Sequence, residues 1–213
     1  MEDYLKAIYA LQVNGKPVTN QQLADELGYS GASITNMQKR LHELNLLVME
    51  PYKGVQLTPT GSAVALEVIR HHRLIELFLT RTLGMDLDAV HDEADRLEHH
   101  VSEDMEARIA AALGFPEFDP HGDPIPSPDL QLAAIDDELL SNVASCRRTH
   151  VTRVSDRDAE IVRELVAIGI LPGVELTNVA SMDLGAMMVE LADGRTVAIG
   201  PAQASAIRVR CLD

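Results

Sequence analysis

The sequence has no tryptophan, three phenylalanines and four tyrosines in 213 residues. An aromatic core is therefore excluded, and Leu, Ile, Val, Ala and Met must fill the interior. Cysteine is scarce too: Cys146 and Cys211 lie far apart, outside any Cys-x-x-Cys spacing. That argues against a disulfide framework and fits a reducing cytoplasm, with both thiols read as small hydrophobes. No apolar run approaches the roughly 18 residues of a membrane span. The opening MEDYLKAIYAL lacks the basic segment and apolar run of a secretory signal. A cytoplasmic protein with no membrane partner is expected.

Positive charge is also in short supply. Eighteen lysines and arginines face 33 acids, a net charge of −15, which excludes a uniformly basic nucleic-acid binder. The deficit is uneven. Residues 1–60 hold five basic residues against six acids, residues 61–113 five against eleven, and the remainder eight against sixteen. Screening over roughly 8 Å at physiological salt makes local charge decisive for DNA, and the N-terminal segment is close to neutral. Carboxylates gathered with histidines downstream suit divalent cations. Several catalytic patterns are missing. HExxH is absent. Asp92-Glu93-Ala94-Asp95 spells a helicase box, but no GxxxxGK[ST] loop exists to hold a triphosphate.

Apolar residues at Tyr4, Leu5, Ile8, Tyr9 and Leu11 predict a first helix, stopped by Asn14-Gly15 and Pro17. Thr19 is placed to cap a second helix that ends at Gly28, and a third runs from near Ser30 to about Leu44. Leu46–Glu50 and Val55–Thr58 read as strands around Pro51-Tyr52-Lys53-Gly54. Three helices and a hairpin are the order of a winged helix-turn-helix. The third helix has a small polar face of Ser33, Thr35, Asn36, Lys39 and Arg40, as a groove-reading face should. A long helix from Pro59 to Leu83 follows. A further helix capped by Asp86 or Asp88 should reach about His100, and Ser102 should open another. GFPEFDPHGDPIPSPDL holds five of the ten prolines and reads as a linker or rigid arm. From His150, short strands (150–154, 173–180, 186–191, 196–199 and 206–211) and one helix (156–168) describe a small β-barrel.

Five of the eight histidines fall between residues 71 and 100. His72 and Glu76 share a helix face at i and i+4, as do His91 and Asp95, and Glu98 and His99 continue that second face. Two antiparallel helices could bring these six residues together as ligands for one or two divalent ions. A solvated, salt-bridged helix pair is the alternative on spacing alone.

MEDYLKAIY, QQLADELGYSGASITNMQKRL, LTPTG, HHRLIELFL, VHDEADRLEHHVSED and HGDPIP, in this order and spacing, resemble the diphtheria toxin repressor family and its manganese transport regulator branch. The resemblance implies a fold that is mainly α with a small β domain. It implies a winged helix-turn-helix DNA-binding domain (1–60), a helical metal-binding and dimerisation domain (61–128), a linker (129–148) and an SH3-like, FeoA-type domain (149–213). It implies a primary metal site of Asp3, Asp95, Glu98 and His99, joined by His72, and an ancillary site of His72, Glu76 and His91. In iron regulators the SH3-like domain adds an acid and a glutamine. Asp158 matches the acid, Ile161 stands where Gln is expected, and Glu160 could substitute. Iron-responsive members carry Met and Cys at the positions of Asp3 and Asp95, and carboxylates there point to Mn²⁺, with Fe²⁺ second. Zn²⁺, Co²⁺ and Cd²⁺ are expected to bind in vitro. The implied function is a repressor of metal-uptake genes, not an enzyme. It would bind an operator in double-stranded DNA as a homodimer, with two dimers on each operator. Ser30, Ala32, Ser33, Thr35, Asn36, Lys39, Arg40 and Lys53 are the expected DNA contacts. The rivals are a metal-independent winged-helix regulator and a metal-dependent hydrolase.

Overall fold

A computed structural model describes residues 1–12, 15–144, 147–182 and 185–212. Asn14, half of the expected first-helix stop, and Cys146 lie outside the described residues. The chain divides into two compact units, residues 1–71 with 126–132 and residues 72–125 with 133–213. Among the described residues, no helix is long and apolar enough to cross a membrane.

The first unit is a winged helix-turn-helix. Helices α1 (Glu2–Leu11), α2 (Asn20–Leu27) and α3 (Gly31–Glu43) precede strands β1 (Leu47–Glu50) and β2 (Gly54–Leu57). The strands pair antiparallel, with Leu47 opposite Leu57 and Glu50 opposite Gly54. Helical spacing puts Leu5, Ile8, Leu23, Ile34 and Leu41 into one core, closed by Leu47 and Val55 of the wing. Thr19 caps α2 in a reciprocal capping box with Gln22. Gly28 then turns the chain at φ 67°, a left-handed conformation that costs a glycine little. Two residues later Ser30 caps α3 by accepting from Ser33 N. That short turn sets the angle between α2 and α3. Tyr4 of α1 stacks flat on Tyr29 inside it, with centroids 5.7 Å apart and planes 5° from parallel.

Helix α4 (Pro59–Leu83) begins in the first unit and ends in the second. In the second unit it is joined by α5 (Val90–Leu97) and α6 (Glu103–Ala112). Leu74 and Leu77 pack with Ile109, Ala110 and Ile125, while Ile75 and Leu79 pack with Val90 and Ala94. Ser102 caps α6 as expected, accepting from Met105 N. Helix α5 differs from expectation at both ends. It has no side-chain cap, since Ala89 stands at the N-cap position, and Asp88 accepts from Arg163 Nε at 2.7 Å. It also stops at Leu97, and residues 98–100 form a tighter 3-10 turn.

The proline-rich stretch is no loose arm. Asp119 and His121 are buried in it, and Phe118 bridges to Pro124. Nor is the expected linker all linker. Its strand β3 (Glu138–Leu139) is an edge of an antiparallel sheet, and Leu140 just after it is fully buried in that domain's core. Strands this short carry no readable period. The sheet also holds β4 (Arg148–Val154), β5 (Glu175–Ser181), β6 (Met187–Leu191), β7 (Thr196–Ile199) and β8 (Ile207–Cys211), in the order β3-β8-β4-β5-β6-β7. Helix α7 (Ala159–Ile168) and an unexpected short α8 (Pro201–Ala206) close its core of Val151, Val154, Leu165, Val189, Ile207 and Val209. The whole is mainly α with a small SH3-like β domain.

Candidate functional site

Helix α4 carries His72 and Glu76 one turn apart, both buried. A charged pair is rarely buried without partners. Here the partners come from three other segments. His72 Nε2 lies 3.0 Å from Glu76 Oε1 and 3.1 Å from His91 Nδ1. Its other nitrogen, Nδ1, lies 2.5 Å from Glu98 Oε2 and 3.2 Å from Asp95 Oδ1. One imidazole thus faces two groups of donors. In the first, His72, Asp95 and Glu98 offer ligand atoms within 4.8 Å of one another. His99 Nε2 stands 3.6 Å from Glu98 Oε1 at its edge. In the second, His72, Glu76, His91 and Asp156 do the same. His91 Nδ1 is 3.2 Å from both Glu76 Oε1 and Asp156 Oδ2.

The electrostatics follow from burial against partners. Burial opposes a charged His72, but hydrogen bonds to Asp95, Glu76 and Glu98 outweigh it and raise its pKa to about 11. His91 is raised to about 10, chiefly by its bonds to Asp156 and Glu76. Glu76 is pressed down to about 2, since the histidines overcome its burial. Asp156 is lowered for the same reason, with His91 as the main partner. Protonated imidazoles therefore hold these carboxylates together at neutral pH.

The donor set also fits a metal ion. Glu76 Oε2 and both ring nitrogens of His121 are buried without a hydrogen-bond partner among the described residues. Native proteins leave few such atoms orphaned, and an ion satisfies them without protons. His121 Nε2 is 3.9 Å from Glu76 Oε1, so His121 faces the second group. Asp119 in the same loop is pushed well above the usual carboxyl range by burial, Glu76 and Asp123.

Several expected ligands are where spacing put them. His72, Glu76, His91, Asp95, Glu98 and His99 all line this region. The acid from the β domain is Asp156, which corrects the expectation of Asp158. Asp158 instead caps α7, its Oδ1 accepting from Glu160 N at 2.9 Å and Ile161 N at 3.3 Å. Glu160 is exposed in the first turn of α7 and belongs to neither group. His121 and Asp156 were missed. The signal for His121 was present in HGDPIP, but a proline-rich context read as linker. Asp3 is exposed in the first turn of α1, in the first unit.

On the DNA side, Ser30, Ala32, Ser33, Asn36, Lys39 and Arg40 are exposed along α3. Lys53 sits at the wing turn, 3.1 Å from Glu50. Thr35 departs from expectation. Its hydroxyl donates to Gly31 O at 2.9 Å and accepts from Asn20 Nδ2 at 3.2 Å. The buried Gln38 donates in turn to Asn20 Oδ1 at 2.9 Å. Thr35 and Gln38 thus fasten α3 to α2, and the hydroxyls of Ser30 and Ser33 bond each other at 3.0 Å at the start of α3.

Comparison with known proteins agrees with this architecture. Residues 1–55 match the iron-dependent repressor N-terminal DNA-binding domain, residues 58–127 the iron-dependent repressor metal-binding and dimerisation domain, and residues 139–211 the FeoA domain. The diphtheria toxin repressor of Corynebacterium glutamicum is 32% identical over 82% of this chain and 81% of its own length. The chain belongs to the diphtheria toxin repressor family. It is a metal-dependent, DNA-binding transcriptional repressor of that family. The iron-dependent repressor IdeR of Mycobacterium leprae is 29% identical over 98% of this chain and 95% of its own. Among solved structures, a manganese-dependent transcriptional repressor in complex with manganese is 38% identical, with a TM-score of 0.91 and 99% of each chain covered. A structure of ScaR with bound Zn²⁺ is 30% identical, with a TM-score of 0.82 and 98% of each chain covered. In a family of repressors, the two donor groups of the second unit are the candidates for sensing metal.

Proposed function

We propose that this repressor is activated by manganese, with Fe²⁺ as the second-best activator, and that it controls metal-ion uptake genes in the cytoplasm. One observation carries the choice of metal. Every donor in the two groups is a carboxylate oxygen or an imidazole nitrogen, with a carboxylate at Asp95 and no sulfur. Hard oxygen donors suit Mn²⁺, whereas thiolates favour softer ions. Zn²⁺, Co²⁺ and Cd²⁺ also suit imidazole–carboxylate sites and are expected to bind in vitro. Solved relatives include a complex with manganese and ScaR with bound Zn²⁺ and Cd²⁺, which supports the same range.

The primary group is Asp95, Glu98, His99 and His72, with Asp3 joining from α1 as the family resemblance implies. The second is His72, Glu76, His91 and Asp156, with His121 facing it. A bound divalent cation supplies the positive charge that gathered carboxylates require. Before that, the His72 and His91 imidazoliums supply it. A neutral His72 ring offers one donor nitrogen and one N–H, so it would ligate in one group and hydrogen-bond a carboxylate of the other; ligating in both would require loss of both ring protons. On the family resemblance, Asp3 would tie α1 to the primary group once a cation fills it. The Tyr4–Tyr29 stack carries the position of α1 to the turn that aims α3. Operator affinity then rises by the difference in metal binding between the two arrangements. Small hydroxyls and Asn36 give few bidentate base contacts, so readout leans on thymine methyls and DNA shape, with Lys39, Arg40 and Lys53 on phosphates. So few cations per protomer favour two homodimers on each operator. No hydrolytic chemistry is assigned to the groups.

Metal-by-metal titration of operator binding tests this reading, with protein-to-operator stoichiometry read in the same runs. Mn²⁺ should activate at the lowest free concentration consistent with its abundance in cells, Fe²⁺ next, and two dimers should load per duplex. Equal operator binding in chelator would favour the metal-independent rival.

The pKa shifts predict a pH dependence. Ligating imidazoles must be neutral, so metal binding expels the protons of His72 and His91. Both pKa values are raised above the usual 6.5. Metal affinity should therefore climb from pH 6.5 to 8, by up to about tenfold per pH unit for each proton expelled. The metal-free fold behaves oppositely. The contribution of these histidines to stability is complete below pH 6.5 and is lost as pH rises through about 10 to 11, while that of Glu76 is lost as pH falls through about 2. Calorimetric Mn²⁺ titrations in buffers of different ionisation enthalpy measure the protons released. Release of none at pH 7 would contradict the assignment.

A further inference from the structure

Asp156 reaches the second donor group from the β domain, two residues after β4. What holds that end of β4 in place lies outside both groups. Arg73, next to His72 on α4, lies 3.5 Å from Asp119 Oδ2 and 3.7 Å from Asp123 Oδ1, and it donates to Pro124 O at 2.5 Å. Asp119 Oδ1 in turn accepts from His121 N and Asp123 N, both at 2.9 Å, which shapes the 119–124 loop. Arg153 of β4 donates from Nη1 to Asp123 Oδ1 at 2.9 Å. With Nε and Nη2 it also grips both oxygens of Asp137, each at 2.8 Å. The Asp137 side chain is shielded from solvent and accepts as well from Arg208 Nε at 2.7 Å and Thr152 Oγ1 at 2.9 Å. A chain of charges thus runs from the ligand-bearing helix, through the loop, into the β domain.

The backbone makes the same junction. Val154 N donates to His121 O at 2.9 Å. Gly122, at φ 90°, approaches so closely that a Cβ there would stand 2.1 Å from Thr152 O. No side chain fits that gap without parting the loop from β4. Two independent devices, one of charge and one of shape, therefore seat the same three residues, Thr152 to Val154, immediately before Asp156.

We infer that Arg153 and Gly122 are positioning residues for the second metal group: they seat β4 on the 119–124 loop and so hold Asp156 against His91. This rests on the reading that His72, Glu76, His91 and Asp156 bind metal. Linkage makes the effect reciprocal. Filling the second group tightens the seat, and loosening the seat weakens the group. Partners one layer behind a ligand typically change metal affinity about 10- to 100-fold.

The test is Mn²⁺ binding to the full-length protein by equilibrium dialysis, with small-angle scattering on the same samples. Wild type should bind two ions per protomer. Arg153→Ala and Gly122→Ala should each weaken the second ion by about tenfold or more and enlarge the radius of gyration, with the first ion unchanged. Arg153→Lys should recover part of the loss. Gly122→Ala removes no charge and leaves the Asp137 cluster intact, so agreement between the two variants separates seating from misfolding of the sheet. Glu76→Gln reports on the underlying reading. If Glu76→Gln loses the second ion while both seat variants keep wild-type affinity, the inference is overturned and the metal group stands. If Glu76→Gln also keeps it, or wild type binds one ion, both are overturned.

Discussion

Replacing His72 with alanine is expected to reduce operator affinity in saturating Mn²⁺ to the level seen in chelator, a loss on the order of 100-fold. The argument rests on the two-sided placement of one ring. His72 Nδ1 faces Asp95 and Glu98 while Nε2 faces Glu76 and His91. Removing it therefore takes a ligand from one group and the ring N–H that a carboxylate of the other accepts. It also strips the cation that gathers three carboxylates in the metal-free protein. Glu76 and Glu98 are nearly without solvent, so that loss brings repulsion as well as a missing ligand. His72→Gln separates the two effects. The amide can still hydrogen-bond its neighbours and should restore folding, but it should not restore metal activation. His91→Ala, which removes a donor from the second group and a 3.7 Å contact to Asp95 from the first, should fall between His72→Ala and wild type. Dialysis, circular dichroism and operator anisotropy on the three variants check this. If His72→Gln responds to Mn²⁺ like wild type, the shared-donor account is wrong.

Asp95→Cys should invert the metal preference. Asp95 Oδ1 lies 3.2 Å from His72 Nδ1, and its side chain is about half exposed, so a thiolate can occupy the place without repacking the core. A soft donor disfavours Mn²⁺ and strengthens Fe²⁺, Zn²⁺ and Cd²⁺. The Mn²⁺ concentration for half-maximal operator binding should rise by about tenfold or more, while that for Fe²⁺ under anaerobic conditions falls. Unchanged Mn²⁺-dependent binding, with its preference over Fe²⁺ intact, would show that Asp95 does not select the metal.

Much of this was legible in the sequence, for reasons that are local. Helical spacing exposed Leu23, Ile34 and Leu41 as core and His72–Glu76 as one face, because residues four apart share a side of a helix whatever surrounds them. The starts at Thr19 and Ser102 were readable because capping is settled within three residues. What was not legible depends on distant contacts. Asp156 and Asp158 are two residues apart on the same approach to α7. Only the docking of β4 on the 119–124 loop decides which turns to His91 and which caps the helix. His121 looked like a loop histidine because prolines on both sides erase any period. Its burial comes from packing no window of sequence contains. Thr35 has the right chemistry and spacing for a groove-facing residue, yet Asn20 and Gly31 claim its hydroxyl. The edge strand Glu138–Leu139 is too short to alternate visibly.

The most direct test of the central claim couples metal occupancy to DNA binding in one cuvette. An operator duplex is selected from random sequences by the Mn²⁺-loaded protein and labelled. Its anisotropy is then followed during Mn²⁺ addition, with free Mn²⁺ read by electron paramagnetic resonance. The account predicts weak binding in chelator, a rise that tracks bound Mn²⁺, and full reversal on renewed chelation. Tight operator binding in chelator, unmoved as the donor groups fill, would contradict it.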